Sequence, residues 1–313
     1  MRSLLVPVFL MACACGGSSS KPDAPIQPDD AATDDAPPPD APADPRMGTF
    51  ELAGGANGLA WDTATSTLYL SDNNTGAIVK FSDAGGLQQL GTFPPQTMGI
   101  SLGDIVKRNN GTLLTPNFGF GTQGTIFAMA PDNMTKALTG LDVARRRIGL
   151  SLDSGGLLYT AYFVGGGGGM QTGGVATVTI AGDAATETEI AGGSTNAGFK
   201  KLVGIVATPT AVFVSDQTQK KIFKIAVPGF AVTPLADVPS ADLLAVMPNG
   251  DLLTGGTGIH RITQAGVVTT LPLTGFEQVR GLAYDPTLKR LFFIEHSATV
   301  GVKDKLHVRP LDN

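Results

Sequence analysis

Along most of the chain, short apolar runs end every few residues at glycine, proline, asparagine or aspartate. Ala211-Val212-Phe213-Val214, Ile222-Phe223-Lys224-Ile225 and Gly258-Ile259-His260-Arg261-Ile262 are examples. Runs of this length, rich in β-branched and aromatic residues and bounded by turn formers, predict β-strands. Asn110-Gly111 and Asn249-Gly250 lie between paired runs and signal tight hairpins. Beyond the first dozen residues, no stretch keeps a helical period for ten positions. The chain is expected to be all-β.

The runs also repeat. Gly58-Leu59-Ala60-Trp61-Asp62, then Leu68-Tyr69-Leu70-Ser71-Asp72, then Ile78-Val79-Lys80-Phe81 has a late copy. That copy reads Gly281-Leu282-Ala283-Tyr284-Asp285, then Leu291-Phe292-Phe293-Ile294-Glu295, then Leu306-His307-Val308-Arg309. Degenerate copies between them place inner-strand starts at Asn57, Gly103, Arg147, Val203, Asp242 and Arg280. A spacing of about 40 to 50 residues is that of a four-stranded propeller blade. The one long interval holds the glycine run Gly165 to Gly169. Six starts predict a six-bladed β-propeller with four-stranded blades. The last repeat has room for three strands only, and Gly48-Thr49-Phe50-Glu51-Leu52 can supply the fourth. A borrowed strand of this kind closes the ring and removes its sheet edges.

The segments before the propeller differ in kind. Residues 1–12 carry Arg2 and a short apolar run, too short to span a bilayer, and read as a signal peptide. The run ends Leu10-Met11-Ala12-Cys13, resembling a bacterial lipobox, so Cys13 is the expected lipidation site and Cys15 the alternative. Residues 13–46 form a Pro/Asp/Ala-rich linker with almost no bulky apolar side chain, which is expected to stay disordered and extended. The propeller domain is then 47–313. These features imply a lipid-anchored protein of the bacterial cell envelope, at the outer membrane or cell surface, with the bilayer as one partner.

Charge and cysteine narrow the chemistry. The formal net charge is −5, and the linker's aspartates account for nearly all of it. The propeller is close to neutral and carries no basic footprint for nucleic acid. It contains no cysteine, which excludes thiol catalysis and cysteine metal sites within it. Two catalytic spellings fail on context. Gly99-Ile100-Ser101-Leu102-Gly103 matches a nucleophile elbow and Gly119-Phe120-Gly121-Thr122-Gln123-Gly124 a dinucleotide fingerprint, but each requires a helix where a strand follows.

Propeller geometry points instead to the channel mouth, where loops from neighbouring blades converge. That face is expected to gather Asn57, Arg147, Asp242 and Arg280 from the strand starts. It adds Asp72, Asn73, Asn117, Asp216, Glu295 and His296 from the loops after each second strand. His260 and His307 lie within strands. Arg147 and Arg280 would either hold a carboxylate or phosphate or pair structurally with Asp242 or Asp72. Residues 165–174, with Met170 and Gln171, are expected to form a flap over the same face.

The Gly58-Leu59-Ala60-x-Asp62, Leu68-Tyr69-x-x-Asp72 and Val212-Phe213-Val214-Ser215-Asp216 phrases resemble NHL-repeat propellers. More loosely, the chain is similar to the gluconolactonase/regucalcin-like group. That second resemblance implies a divalent cation, typically calcium, held at the channel mouth by a Glu, Asn and Asp set, with lactone hydrolysis as the activity. Asn57 and Asp242 stand at matching strand starts and are the implied metal ligands. The group's Glu-Gly-Pro reads Asn57-Gly58-Leu59 here, so one anionic ligand is missing. The reading that follows is a monomeric, membrane-tethered binding or scaffold propeller presenting its rim to a small molecule or protein. The alternative is a metal-dependent lactonase-type hydrolase.

Overall fold

The computed structural model describes residues 46–94, 99–119, 123–165, 171–192, 198–299 and 301–312. The expected signal peptide, Cys13 and the expected linker as far as residue 45 lie outside them. β1 (Gly48–Glu51) precedes the first blade, which comprises β2 (Ala56–Asp62), β3 (Thr67–Asp72), β4 (Ala77–Ser82) and β5 (Gly86–Thr92). Blade two comprises β6 (Val106–Lys107), β7 (Leu113–Asn117), β8 (Thr125–Met129) and β9 (Thr135–Ala137). Blade three comprises β10 (Arg146–Leu152), β11 (Leu158–Val164), β12 (Thr172–Ala181) and β13 (Ala184–Gly192). Blade four comprises β14 (Leu202–Ala207), β15 (Ala211–Asp216), β16 (Lys221–Ala226) and β17 (Val232–Asp237). Blade five comprises β18 (Leu244–Val246), β19 (Leu252–Thr254), β20 (His260–Ile262) and β21 (Val268–Thr270). Blade six contributes β22 (Gln278–Asp285), β23 (Arg290–His296) and β24 (Lys305–Pro310), and β1 completes it in the order β1-β24-β23-β22.

The six-bladed ring is therefore closed by the N-terminal strand, with Gly48 opposite Val308 and Glu51 opposite Lys305. Asn110-Gly111 and Asn249-Gly250 make the β6–β7 and β18–β19 turns, and both glycines hold positive φ. The glycine-rich stretch 165–174 departs from the expected flap. Residues 166–170 lie outside the described ones, but Gly173 and Gly174 are strand residues opposite Phe163 and Tyr162. A Cβ on Gly174 would lie 2.3 Å from the Tyr162 ring. Glycine is needed there for close packing and not for mobility.

The core consists of layers between blades. Each of six hydrophobic clusters draws its buried residues from two adjacent blades. Leu59, Leu68 and Leu70 of blade one pack with Phe292, Ile294 and Leu306 of blade six. Ile126 and Leu114 of blade two meet Leu150 and Val178 of blade three. Each fully buried Leu, Ile or Phe contributes about 1.5–3 kcal/mol, so every blade depends on both neighbours. At the seam between the last blade and the first, Trp61 stacks on Phe292 at 5.0 Å. Buried Arg290 joins Asp285 of its own blade to Asp83 of blade one.

Nearer the axis, backbones touch backbones. A Cβ on Gly281 would lie 2.2 Å from the Asn57 carbonyl oxygen, and one on Gly58 would lie 2.4 Å from the Asp104 Cα. Ser71 Oγ accepts the Gly58 N–H and donates to the Gly103 carbonyl of the next blade. Ser215 repeats the device between Gly204 N–H (2.8 Å) and the Asp242 carbonyl (2.6 Å). Deleting residues 47–52 leaves blade six with three strands and exposes its edge. We expect this variant's melting temperature, read by circular dichroism, to fall by roughly 5 °C or more; an unchanged melting temperature would refute closure by β1.

Candidate functional site

At five of the six inner strands the residue at this level is turned toward the axis; Leu102, before Gly103, instead packs in the core between blades one and two. Asn57, Ile148, Val203, Asp242 and Arg280 line one cavity of about 420 Å³ at one end of the channel. Side chains alternate across a strand, so positions two residues upstream face the same space: Arg146, Lys201 and Gln278 do so. Each has a cross-strand neighbour on the second strand of its blade. Arg146 stands opposite Phe163, the Lys201 carbonyl accepts the Gln217 N–H, and Gln278 stands opposite His296. Phe163 and Gln217 line the cavity too, with Phe118 and Gln171.

Of the sequence-derived site residues, Asn57, Asp242 and Arg280 line the cavity. Asp72, Arg147, Asp216 and Glu295 do not, and one physical reason covers all four. A shift of one residue along a strand turns a side chain to the opposite face. Arg147 lies beside a bulge between Arg147 and Gly149, so Ile148 occupies the start position expected for it. Its guanidinium is fully buried and held by Glu187 at 2.6 and 2.7 Å. The expected pairing of Arg147 with Asp242 or Asp72 gives way to this one. Asp72, Asp216 and Glu295 are buried one residue before the cavity-facing row and bind backbone N–H groups. Asp72 holds Asn74 and Thr75, Asp216 holds Lys200 and Thr218, and Glu295 holds Glu277. Asn117 likewise accepts the Ser101 N–H, which leaves Ser101 a connector residue. The centre of the Gly119–Gly124 loop, 120–122, lies outside the described residues; the strand β8 follows it.

Arg146, Lys201, Phe118, Phe163, Gln217 and Gln278 were not anticipated. A signal for them was present: aligning Ile148-Gly149-Leu150 with Val203-Gly204-Ile205 corrects the slip and places Arg146 level with Lys201.

Electrostatically the cavity is cationic. Arg146 and Lys201 lie over the Phe163 ring, at 5.0 and 5.8 Å from its centroid. Burial lowers the Lys201 pKa, opposed by Asp242, while Arg146 and Arg280 lower it further. Burial pushes the Asp242 carboxyl up to about 6, with Arg280 as the main opposing influence. Deeper along the axis, at the other opening, buried Asp104 is pushed up to about 8 by desolvation, and the charge of Asp242 adds to it. Two guanidinium groups and one amine therefore share the cavity with a single carboxylate, Asp242, among the described residues.

The donor set does not fit a divalent cation. Such ions take six or more oxygen ligands, several of them charged. The Asn57 amide is already spent, with Nδ2 donating to the Leu102 carbonyl at 2.6 Å and Oδ1 accepting Arg280 Nη1 at 2.9 Å. Asp242 is the one carboxylate lining the cavity among the described residues, and no three His, Cys, Asp or Glu side chains converge there.

No protein-family model matches the chain, and no curated protein sequence does. Solved structures do. A gluconolactonase from Xanthomonas campestris shares 17% identity at a TM-score of 0.64, over 83% of this chain and 88% of that one. A luciferin-regenerating enzyme shares 15% at 0.63, over 85% and 96%. The calcium-binding protein regucalcin from Agrobacterium tumefaciens shares 14% at 0.62, over 85% and 97%. The chain thus has the fold of the gluconolactonase and regucalcin-like six-bladed propellers.

The Asp104 shift carries a sign that can be checked. A carboxyl whose folded-state pKa is raised contributes stability fully present below its ordinary value near 3.8, lost as pH rises through about 8. Asp104→Asn removes this dependence. Its urea midpoint relative to wild type should therefore rise steadily between pH 4.5 and pH 8; a constant difference would contradict the buried, protonated carboxyl.

Proposed function

We propose that this chain is an exported, lipid-tethered propeller that binds a small anionic molecule in its axial cavity. The observation that carries the reading is the Arg280–Asn57 contact. A guanidinium holds the Asn57 amide oxygen, the ligand that the sequence resemblance would give to a cation, and Lys201 and Arg146 line the same cavity. Guanidinium and ammonium groups in a partly desolvated cavity suit a carboxylate or phosphate through charge-assisted hydrogen bonds. The Gln217 and Gln278 amides suit hydroxyl groups, and Phe163 offers a face for an apolar edge. Tethering rests on the lipobox-like Leu10-Met11-Ala12-Cys13 and on the Pro/Asp/Ala-rich composition of residues 13–46.

The alternative is a calcium-dependent lactonase. Its support is the fold shared with a gluconolactonase and with a calcium-binding regucalcin. Titration calorimetry with D-gluconate, 6-phosphogluconate and neutral glucose separates the two, together with metal analysis of the purified protein. The anion reading expects the charged ligands to bind in the presence of EDTA. It also expects Arg280→Ala and Lys201→Ala each to weaken binding about tenfold or more, one charge-assisted hydrogen bond being worth about 1.5–3 kcal/mol. Stoichiometric calcium that disappears in Asp242→Asn, with lactone hydrolysis lost alongside it, would overturn the reading. Cys13→Ser should release the protein from membranes, and continued retention would refute anchoring at that residue.

A further inference from the structure

Three histidines occur in the chain, and their surroundings separate them. His307 is buried, stacks on Phe293 at 4.7 Å and has both nitrogens engaged, Nε2 with Glu295 and Nδ1 with Thr49 and Arg309. His260 is buried in blade five with Nδ1 on Thr270. His296 differs from both. Its side chain is 28% exposed, and Nδ1 lies 3.0 and 3.2 Å from the two oxygens of buried Asp304. A carboxylate only accepts, so Nδ1 carries the proton and Nε2 is left with its lone pair. Nε2 has no hydrogen-bond partner among the described residues.

Position decides what that lone pair faces. His296 stands opposite Gln278, as Phe163 stands opposite Arg146. It also follows Glu295 as Gln217 follows Asp216 in blade four. Phe163, Gln217 and Gln278 all line the axial cavity, and directly opposed residues on paired strands project to the same side. His296 is the blade-six member of that row. Asp304 is tied to the same spot, because its carboxylate also accepts the Ala56 N–H at 3.2 Å. Ala56 precedes Asn57, whose Oδ1 holds Arg280. Hydrogen bonds thus link imidazole to Asp304 and Asp304 to Ala56, whose chain neighbour Asn57 holds the Arg280 guanidinium, and the charge of His296 reaches the cavity carboxylate of Asp242.

We propose that His296 is a metal-independent general base at this mouth, positioned by Asp304, acting on an acyclic ester that also bears a carboxylate or phosphate group. The proposal rests on the anion-binding reading of the cavity. The substrate's carboxylate or phosphate lies inward on Arg280 and Lys201, which leaves the ester carbonyl at the rim where water reaches Nε2. Nε2 takes a proton from water as the water oxygen bonds to the carbonyl carbon. The carbonyl electron pair moves to oxygen, where the Gln278 amide can donate a hydrogen bond. The pair then re-forms the C=O, the bond to the alcohol oxygen breaks, and that oxygen receives the proton back from Nε2. Water and ester give acid and alcohol with nothing else consumed. Asp304 accepts the Nδ1–H and so holds the tautomer.

The test uses the full chain in EDTA with two probes, the mono-4-nitrophenyl ester of succinic acid and uncharged 4-nitrophenyl acetate. The charged ester should be hydrolysed with at least tenfold higher kcat/KM. His296→Ala should lower kcat about 100-fold or more with KM little changed, the range of general-base catalysis. Added imidazole should restore part of the loss in His296→Ala but none in Arg280→Ala, a response that a merely structural histidine would not give. Asp304→Asn should lower kcat in parallel. Because Asp304 also holds Ala56, its melting temperature is measured alongside, and His296→Ala decides the matter if that variant unfolds. No hydrolysis above the blank by wild type, or full activity in His296→Ala, overturns the proposal. Gluconate binding retained without turnover sinks the general base alone, whereas loss of gluconate binding in wild type sinks the cavity reading with it.

Discussion

The structure turns on the close approach of neighbouring inner strands, where one blade's backbone rests on the next with no side chain between them. Gly281 sits on the Asn57 carbonyl and Gly58 on Asp104, at distances that a Cβ would not permit. Ser71 and Ser215 reinforce the approach by accepting a backbone N–H from their own blade and donating to the next. The contact is small in area, yet it fixes rotation as well as spacing. Where a glycine is pressed against its neighbour, the residue before it points into the channel at Asn57, Ile148, Val203 and Arg280, while Leu102 before Gly103 packs in the core between blades. The layered core between blades supplies most of the stability, while these contacts decide which side chains the axis receives.

That is why the fold was legible in the sequence and the site only partly so. Blade number, the hairpin turns and the borrowed strand follow from spacing and from strand arithmetic, which tolerate an error of a residue or two. A site does not tolerate it, because the side-chain period is two. Arg147 shows the consequence. The arginine triplet Arg145-Arg146-Arg147 precedes a bulge, and choosing the third member places a buried partner of Glu187 in the channel. Asp72, Asp216 and Glu295 fail in the same way. They lie at the ends of second strands and are buried, Asp72 and Asp216 because their carboxylates hold the turns that follow and Glu295 because it holds the Glu277 N–H before β22. The glycines were the better ruler, being pinned by contact and not by hydrophobic pattern. Measured from them, Asn57 and Arg280 were readable, and so were Arg146 and Lys201.

The mixed charge of the ring also acquires a physical meaning. A divalent cation and a fixed guanidinium compete for the same oxygen, and Asn57 Oδ1 can satisfy only one of them well. Arg280 has that oxygen at 2.9 Å. With Asp242 poised near 6 and Asp104 protonated deeper in the channel, the low-dielectric axis avoids a cluster of uncompensated carboxylates.

The functional groups are also not spread evenly around the ring. Arg280, Gln278, His296 and Asp304 belong to blade six, Asn57 belongs to blade one, and the strand that joins the two blades ends just before them. Asp304 takes the Leu52 N–H on its carbonyl and the Ala56 N–H on its carboxylate, so the residue that orients His296 also fastens the closing segment. Closure and chemistry share atoms at this seam. Elsewhere in the ring a cavity residue can change without touching the contacts that hold two blades together, as Val203 and Ile148 illustrate by filling the same positions with aliphatic side chains. At the seam, Asn57 and Arg280 face each other across the one inter-blade boundary formed by residues more than two hundred positions apart. A ligand seated there would touch both ends of the propeller at once, so its binding energy would be coupled to ring closure in a way that binding at any other blade boundary would not be.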